Sequence, residues 1–259
     1  MLTLKFIELG IKKQAQYKLN FVLLCIAVTP IHLIKLLFSW IVVKKFGGFA
    51  GWSFWDMSML YSLLMISYSF AQIFFRQFRC IDNFIVNGGL DKYFIQPVSI
   101  VYNLVFSQLN LMEVISQLTP SIIVFIVTCT KIDVEWTSLR ILILIISVIS
   151  GAIIQSCIFC IIGFIAFWTM RSSVFHDIYS TFKDFMNYPI SIYSKHIQEI
   201  LTCFIPLAFV NYYPALYLLN KNHANSVLPF LSPVVALILL TLTIIFARHA
   251  YKNYASTGS

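Results

Sequence analysis

Long apolar runs separated by short polar stretches dominate this chain. A helix needs about 17 to 25 apolar residues to cross the hydrocarbon core of a bilayer. Apolar runs of this length or longer cover residues 20–43, 57–78, 100–129, 140–168, 197–219 and 231–250. The pattern predicts an all-α integral membrane protein with six transmembrane helices. The third and fourth runs are longer than a bilayer requires, so we expect those helices to tilt or to protrude.

The composition agrees with this pattern and excludes several classes of protein. Only 11% of the residues are charged and 59% are hydrophobic, whereas soluble domains carry about 25% charged residues. The connections are too short for a separate soluble domain, so residues 1–259 are predicted to form a single transmembrane domain. The net charge is +8, but without a run of basic residues it does not indicate nucleic-acid binding. The cysteines lie mostly inside apolar runs and predict neither a disulfide framework nor a metal site.

Lysine and arginine are distributed unevenly between the connections. If the N-terminus lies in the cytoplasm, the inner segments hold twelve of these residues and the outer segments five, which favours a multi-pass topology with both termini in the cytoplasm. Before the first run, Leu4, Ile7 and Ile11 repeat at helical spacing, with charged residues on another face. This predicts an N-terminal amphipathic helix along the inner membrane surface.

Two further stretches between the apolar runs are amphipathic. Residues 171–196 mix aromatic residues with charges such as Lys183 and Asp184, and we expect a cytoplasmic helix with a solvated face. Before residue 87, Ile81 and Ile85 lie at helical spacing and predict a short amphipathic helix.

The stretch "NGGLDKYFIQPVS" at 87–99 interrupts the apolar pattern on the predicted cytoplasmic side. Its glycines can end the preceding helix, and Pro97 resets the chain before the third run. One interpretation is a simple interfacial connector, and the other is a docking helix through which a soluble partner acts on the membrane helices. Because the chain contains no GxxxxGK[ST] phosphate loop, ATP-driven work would have to come from another subunit.

Several motifs carry a resemblance to a known family. They are "IVNGGLDKYFIQPVS" at 85–99, "YPISIY" at 188–193, "IPLAFVNYYPALYLL" at 205–219 and "YASTGS" at 254–259. In their order and spacing the chain resembles the type-2 ATP-binding-cassette (ABC) exporter permeases, in particular the small six-helix branch. The resemblance covers nearly the whole chain in hydropathy.

The resemblance implies a coupling helix between spans two and three that docks on an ABC ATPase subunit. It also implies two ATPase copies and a second permease, identical or homologous, in the inner membrane of a bacterial cell. The matching docking positions are Phe84, Asn87, Gly88, Gly89, Leu90, Asp91, Lys92, Tyr93 and Pro97. The glycine pair departs from the single glycine and acidic residue expected in the family.

Family members also have a re-entrant extracellular segment before the last span. The matching residues here are Pro206, Asn211, Tyr212, Tyr213 and Pro214. Prolines in a spanning helix free backbone carbonyls that protein or water must cover, so a re-entrant hairpin and a simple proline kink both fit the sequence.

Polar residues lie within the first and third predicted spans. Lys35 and Glu113 reach similar depth, and ionisable groups within a membrane are costly unless paired or hydrated. We expect them to face the bundle interior, where they either pair with each other or line a path. The candidate translocation-path residues are His32, Lys35, Asn110, Glu113 and Gln117. Such residues can equally hold helices together, and the sequence leaves both roles open.

The predicted function is a transmembrane permease subunit that moves a hydrophobic or amphipathic substrate, such as a drug, lipid or peptide, out of the cell by alternating access. We expect no catalytic residue, metal or cofactor in this chain, because ATP and Mg would be used by the partner ATPase. The alternatives are a membrane-embedded enzyme and a non-transporting scaffold. The chain carries no HExxH or GxSxG motif that would favour an enzyme.

Overall fold

The computed structural model describes residues 18–46, 51–86, 89, 100–107, 111–169, 171–221 and 227–252, and these are mostly helical. The α-helices are α1 (Lys18–Phe46), α2 (Phe54–Phe75), α3 (Ile81–Val86), α4 (Ile100–Ser107), α5 (Leu111–Lys131), α6 (Ser138–Thr169), α7 (Ser173–Phe185), α8 (Lys195–Glu199), α9 (Tyr212–Leu218) and α10 (Ser232–Lys252). Short 3-10 helices cover Arg76–Cys80, Ile190–Ile192, Leu207–Phe209 and Leu228–Phe230, and a π-helix covers Ile200–Phe204.

Within the described residues, five helices are long and apolar enough to cross a membrane, and a bent pair would make a sixth. The five are Phe21–Phe46, Phe54–Ile85, Leu111–Lys131, Ser138–Thr169 and Ser232–Lys252. They overlap the first, second, third, fourth and sixth predicted spans. Within the third predicted span, 100–129, the described residues form α4 and the greater part of α5. The fourth predicted span keeps its excess length in the 32 residues of α6.

The fifth predicted span is broken. Lys195–Phe204 and Leu207–Leu218 meet at a 76° bend, and Pro206 lies at the break, where it has no N–H to continue a helical ladder. The expectation that Pro206 and Pro214 both interrupt this span is confirmed for Pro206 alone, because Pro214 lies in the first turn of α9. The bend fits both a broken span and a re-entrant loop.

The spanning helices pack side by side in the order α1, α5, α2, α6, α10. Helix α2 is the central member, and nearly all its residues between Asp56 and Gln72 are buried. A capping box starts it: the Ser53 hydroxyl accepts from the Asp56 N–H, and the Asp56 carboxylate accepts from the Ser53 N–H. This arrangement satisfies two backbone donors that a helix start would otherwise leave unpaired.

Small residues on α6 allow close approach of its neighbours. A Cβ added to Gly163 would lie 2.7 Å from the Phe78 carbonyl oxygen, and one added to Gly151 would lie 3.0 Å from Val210 Cγ1. Glycine at these positions lets the backbone segments pack almost directly against α6, as small residues commonly do between membrane helices.

Contacts between the connections define two ends of the bundle. At the first, Lys221 Nζ donates to the Gly51 carbonyl at 2.7 Å and lies 3.0 Å from an Asp56 carboxylate oxygen. At the other, Phe78 packs edge-on against Phe164. We call these the Trp52 end and the Phe78 end.

Helix α7 differs from its predicted environment. It begins at the Phe78 end, where the Ser172 N–H donates to Asp82 Oδ2, and it runs into the bundle. Tyr179 is 2% exposed, and Met186, just after the helix, is fully buried. The opposite face carries exposed apolar residues such as Ile178, which suit lipid or protein better than water. The amphipathic helix predicted within 171–196 is present and exposes Asp177 and Thr181, but the expectation that Lys183 is solvated was wrong, since Lys183 is buried. An amphipathic pattern does not distinguish water from a polar protein interior.

Candidate functional site

The predicted docking stretch is described only in part. Asn87, Gly88, Leu90, Asp91, Lys92, Tyr93 and Pro97 lie outside the described residues. Of the predicted docking residues, Phe84 lies on α3 and is half-buried, and Gly89 follows three residues after that helix ends.

The helix that leads into the docking stretch is firmly held. The predicted amphipathic helix is present as α3, and its apolar residues Ile81 and Ile85 are buried. On its other side, the Asp82 carboxylate accepts from the backbone N–H of Ser172 at 3.3 Å. Because Ser172 directly precedes α7, this bond joins α3 to the helix that enters the bundle.

The first intramembrane charge lies at a contact between α1 and α7. Lys35 Nζ lies 2.6 Å from Asp184 Oδ1. One turn earlier on α1, His32 Nδ1 lies 2.6 Å from the Tyr61 hydroxyl of α2. The polar face of α1 therefore faces the bundle interior, as predicted.

The second charge has a separate partner. Glu113 on α5 pairs with Arg76 at 2.5 Å. One turn further on, the side-chain Oε1 of Gln117 accepts from Gln72 Nε2 at 3.1 Å. A Lys35–Glu113 pair, one of the two expected arrangements, is thus replaced by two pairs on different helices. The sequence could not indicate this, because it gave no sign that α7 would bring Asp184 to α1. Asn110 lies outside the described residues.

A buried hydrogen-bonded chain connects three helices. Tyr179 OH donates to Gln155 Oε1 at 3.0 Å, and Gln155 Nε2 donates to Ser67 Oγ at 2.8 Å. All three side chains are buried. The sequence analysis did not select these residues, although Gln155 is a lone amide within the fourth apolar run and had to find partners there.

Two cations contact the same aromatic residue, Tyr68, next to these hydrogen-bonded side chains. Lys183 Nζ lies 3.8 Å from the centre of the Tyr68 ring, and Arg79 Nη1 donates to the Tyr68 hydroxyl at 3.2 Å. Lys183 is 8% exposed. Burying an ammonium group costs several kcal/mol, and a cation–π contact returns only about 0.5 to 2 kcal/mol. This contact alone does not compensate for the burial of Lys183.

The predicted re-entrant residues come together at the Trp52 end, and all of them are buried. Asn211 Nδ2 donates to the carbonyls of Leu60 and Met186 at 3.0 and 2.7 Å. The Tyr212 ring stacks on Trp52, with 5.7 Å between the ring centres. This segment therefore contacts α2, the residues after α7 and the first connection at the same time.

The described part of the chain contains no group of three or more His, Cys, Asp or Glu residues placed to hold a metal ion. Its polar groups instead form ion pairs and hydrogen bonds between helices. These features define a multi-pass membrane protein with polar contacts enclosed among its helices.

The family model described as ABC-2 family transporter protein matches residues 30–258, and the chain belongs to this family. Comparison with curated proteins and with solved structures gives no match. The resemblance noted from the sequence is confirmed: the chain is a membrane permease of an ABC transporter, of a family that normally works with ATPase subunits.

Proposed function

We propose that this chain is the permease subunit of a bacterial ABC exporter that moves a hydrophobic or amphipathic substrate outward by alternating access. Two ATPase subunits would bind ATP and Mg and supply the energy, while this chain binds no cofactor and pairs with a second permease. The Phe78 end and both termini face the cytoplasm in this proposal, and the Trp52 end faces outward. The family match supports the transporter role.

The observation that carries the docking role is the anchoring of α3. The docking stretch continues directly from this helix, whose Ile81 and Ile85 are buried. A force applied at residues 87–99 would therefore be passed to α3, which is packed against the bundle. The bond from Ser172 to Asp82 would pass the displacement on to α7.

Helix α7 would carry that displacement into the bundle. It brings Asp184 to Lys35 and places Lys183 over the Tyr68 ring. Because these polar contacts are discrete, a shift of α7 would exchange partners and would not deform continuously. Such an exchange is the kind of two-state element that coupling between distant sites requires.

The Trp52 end would form the outward gate. The broken segment packs there through Asn211 and Tyr212, and the side-chain Oδ1 of Asn211 is buried without a hydrogen-bond partner among the described residues. An outward-open state would separate this segment from α2. A re-entrant course for the segment is part of this proposal.

The docking role is tested by the double substitution Asp91→Arg with Tyr93→Ala in the full chain, co-expressed with its ABC ATPase. We expect the variant to insert into the membrane normally but to lose ATPase co-purification or stimulation of ATP hydrolysis. The matched control is Asp133→Arg with Trp136→Ala, a similar change at exposed positions on the connection between α5 and α6. The control should keep full coupling.

Unchanged coupling in the Asp91/Tyr93 variant would remove the docking proposal. A chain that never associates with an ATPase would instead favour a scaffold or an enzyme.

A further inference from the structure

Two cations, Arg79 and Lys183, contact Tyr68. Among the residues that the structure describes, neither lies within ion-pair distance of a carboxylate. Arg79 Nη1 donates to the Tyr68 hydroxyl at 3.2 Å, and Lys183 Nζ lies 3.8 Å from the centre of the same ring. Both positive groups therefore surround one tyrosine, one at its hydroxyl and one at its ring face.

The surrounding charges do not balance this pair. Asp184 follows Lys183 in the sequence, but its carboxylate is engaged by Lys35 at 2.6 Å. Glu113 is engaged by Arg76. With all four side chains ionised, Lys35, Arg79, Lys183 and Asp184 would carry an excess of two positive charges, a state that an apolar bundle strongly disfavours. Burial and the neighbouring Lys35 accordingly lower the pKa of the Lys183 ammonium to about 7.

A neutral hydrogen-bonding group lies beside the two cations. His176 is two turns before Lys183 on α7, which places both on the same helix face. Its Nδ1 is buried and has no hydrogen-bond partner within the described residues. The His176 ring centre lies 6.1 Å from that of Phe159, and the Phe159 ring centre lies 5.7 Å from that of Tyr68. Three groups able to bind an anion thus border one aromatic cluster, and one of them, Lys183, is more than nine-tenths buried.

We propose that Arg79, Lys183 and His176 form a binding site for the phosphate head group of an anionic amphiphile. A guanidinium fork matches the oxygens of phosphate, and an ammonium binds the same anion as a point charge. A tetrahedral head group presents oxygens in several directions, which suits donors arranged around both the edge and the face of Tyr68.

The apolar surroundings favour an amphiphile over a free anion. Tyr179, on the same face of α7 as Lys183, also borders a cleft of about 210 Å³. The other residues lining this cleft are almost all apolar and include Ile158, Ile162, Phe175, Ile178, Phe204 and Leu239. An acyl chain would fit such a surface, whereas inorganic phosphate would gain nothing from it. We take this amphiphile to be the transported substrate, and that assignment rests on the exporter function proposed above.

The test uses the purified full chain in a neutral detergent and follows its thermal unfolding midpoint. The probes are dodecyl phosphate, zwitterionic dodecylphosphocholine and inorganic phosphate. We expect dodecyl phosphate to raise the midpoint at concentrations at which the other two do not. Lys183→Met and Arg79→Gln should each weaken the response to dodecyl phosphate about tenfold or more, as for the loss of a charge-assisted bond. Lys183→Arg should retain most of it.

Lys195→Met is the matched control, because Lys195 is an exposed cation on α8 and its removal should leave the response unchanged. Lys183→Met should also raise the midpoint without ligand, since it removes a buried charge. If Lys183 served only to hold Tyr68, Lys183→Met would lower that midpoint and the dodecyl phosphate response would persist, which would overturn the site.

Two other results would overturn the proposal as stated. An equal response to inorganic phosphate would mean a site for free phosphate, and an equal response to dodecylphosphocholine would mean that net charge is not recognised. The binding test needs no ATPase, so it fails separately from the exporter function. If the chain couples to an ATPase but does not respond to dodecyl phosphate, only the binding site proposed here is overturned. If it responds to dodecyl phosphate but never couples to an ATPase, only the exporter function is overturned.

Discussion

Helices α1 and α2 are both long and apolar enough to cross a membrane, yet they occupy opposite environments. In the apolar stretch of α1 only 6% of the residues are buried, against 78% in that of α2. On α1, large aliphatic residues such as Leu33 and Ile34 are more than half exposed. On α2, Leu60, Leu63 and Leu64 are almost completely buried. Mean hydropathy alone therefore identifies a spanning helix without indicating its place in the bundle.

The difference lies in the small polar residues. Helix α2 contains serines whose hydroxyls donate back to carbonyls of the same helix, as Ser58 does to Phe54 and Ser69 does to Met65. These hydroxyls are satisfied locally, so the helix can be surrounded by others at close range. Helix α1 instead makes directed contacts through His32 and Lys35. We infer that packing fixes α2, whereas a few polar contacts orient α1.

The strongest test of this contrast is a pair of identical substitutions. Leu63→Ala on α2 removes a buried side chain and should lower the free energy of unfolding by about 3 kcal/mol, because the cavity cannot fully collapse. Leu33→Ala on α1 should lower it by less than about 0.5 kcal/mol, as expected for an exposed position. Denaturant unfolding of each purified variant in the same detergent measures both values. Equal losses would show that α1 is as tightly packed as α2.

The sequence predicted most of the fold for a clear physical reason. A bilayer requires long apolar helices, so hydropathy located α1, α2, α6 and α10 to within a few residues. Pro206 likewise marked the break in the fifth span. These features depend on local composition and on the missing N–H of proline, both of which are readable along the chain.

The pairing of polar groups could not be predicted in the same way. Lys35 pairs with Asp184, 149 residues away, because α7 enters the bundle, and an amphipathic pattern does not reveal that entry. Gln155 and Tyr68 became recognisable as site residues only through their neighbours on other helices. Periodicity gives the face of a helix, whereas the partner of that face depends on tertiary packing.

A second test concerns how α2 is held at the Trp52 end. Asn211 is fully buried and donates to carbonyls of both Leu60 and Met186. Asn211→Leu removes both donated bonds and should lower the free energy of unfolding by about 2 kcal/mol. Asn83→Leu, at an exposed position on α3, is the control and should change it little. A loss no larger than that of the control would mean that packing alone holds this segment to α2.

The smallest expected effect tests whether a polar contact orients α1. A double-mutant cycle with Lys35→Met and Asp184→Leu isolates the energy of their interaction. The side chains are 29% and 47% exposed, so solvent weakens the attraction, and we expect a coupling energy of about 1 kcal/mol.

The control cycle uses Arg140 and Glu135, which lie 3.7 Å apart with the glutamate 79% exposed, and should give about 0.2 kcal/mol. If the Lys35 cycle gave no more than this control, apolar contacts alone would orient α1, and the contrast with α2 would be one of degree. A coupling energy well above the control would instead mean that a shift of α7 is felt directly by α1, since Asp184 is the residue through which the two helices meet.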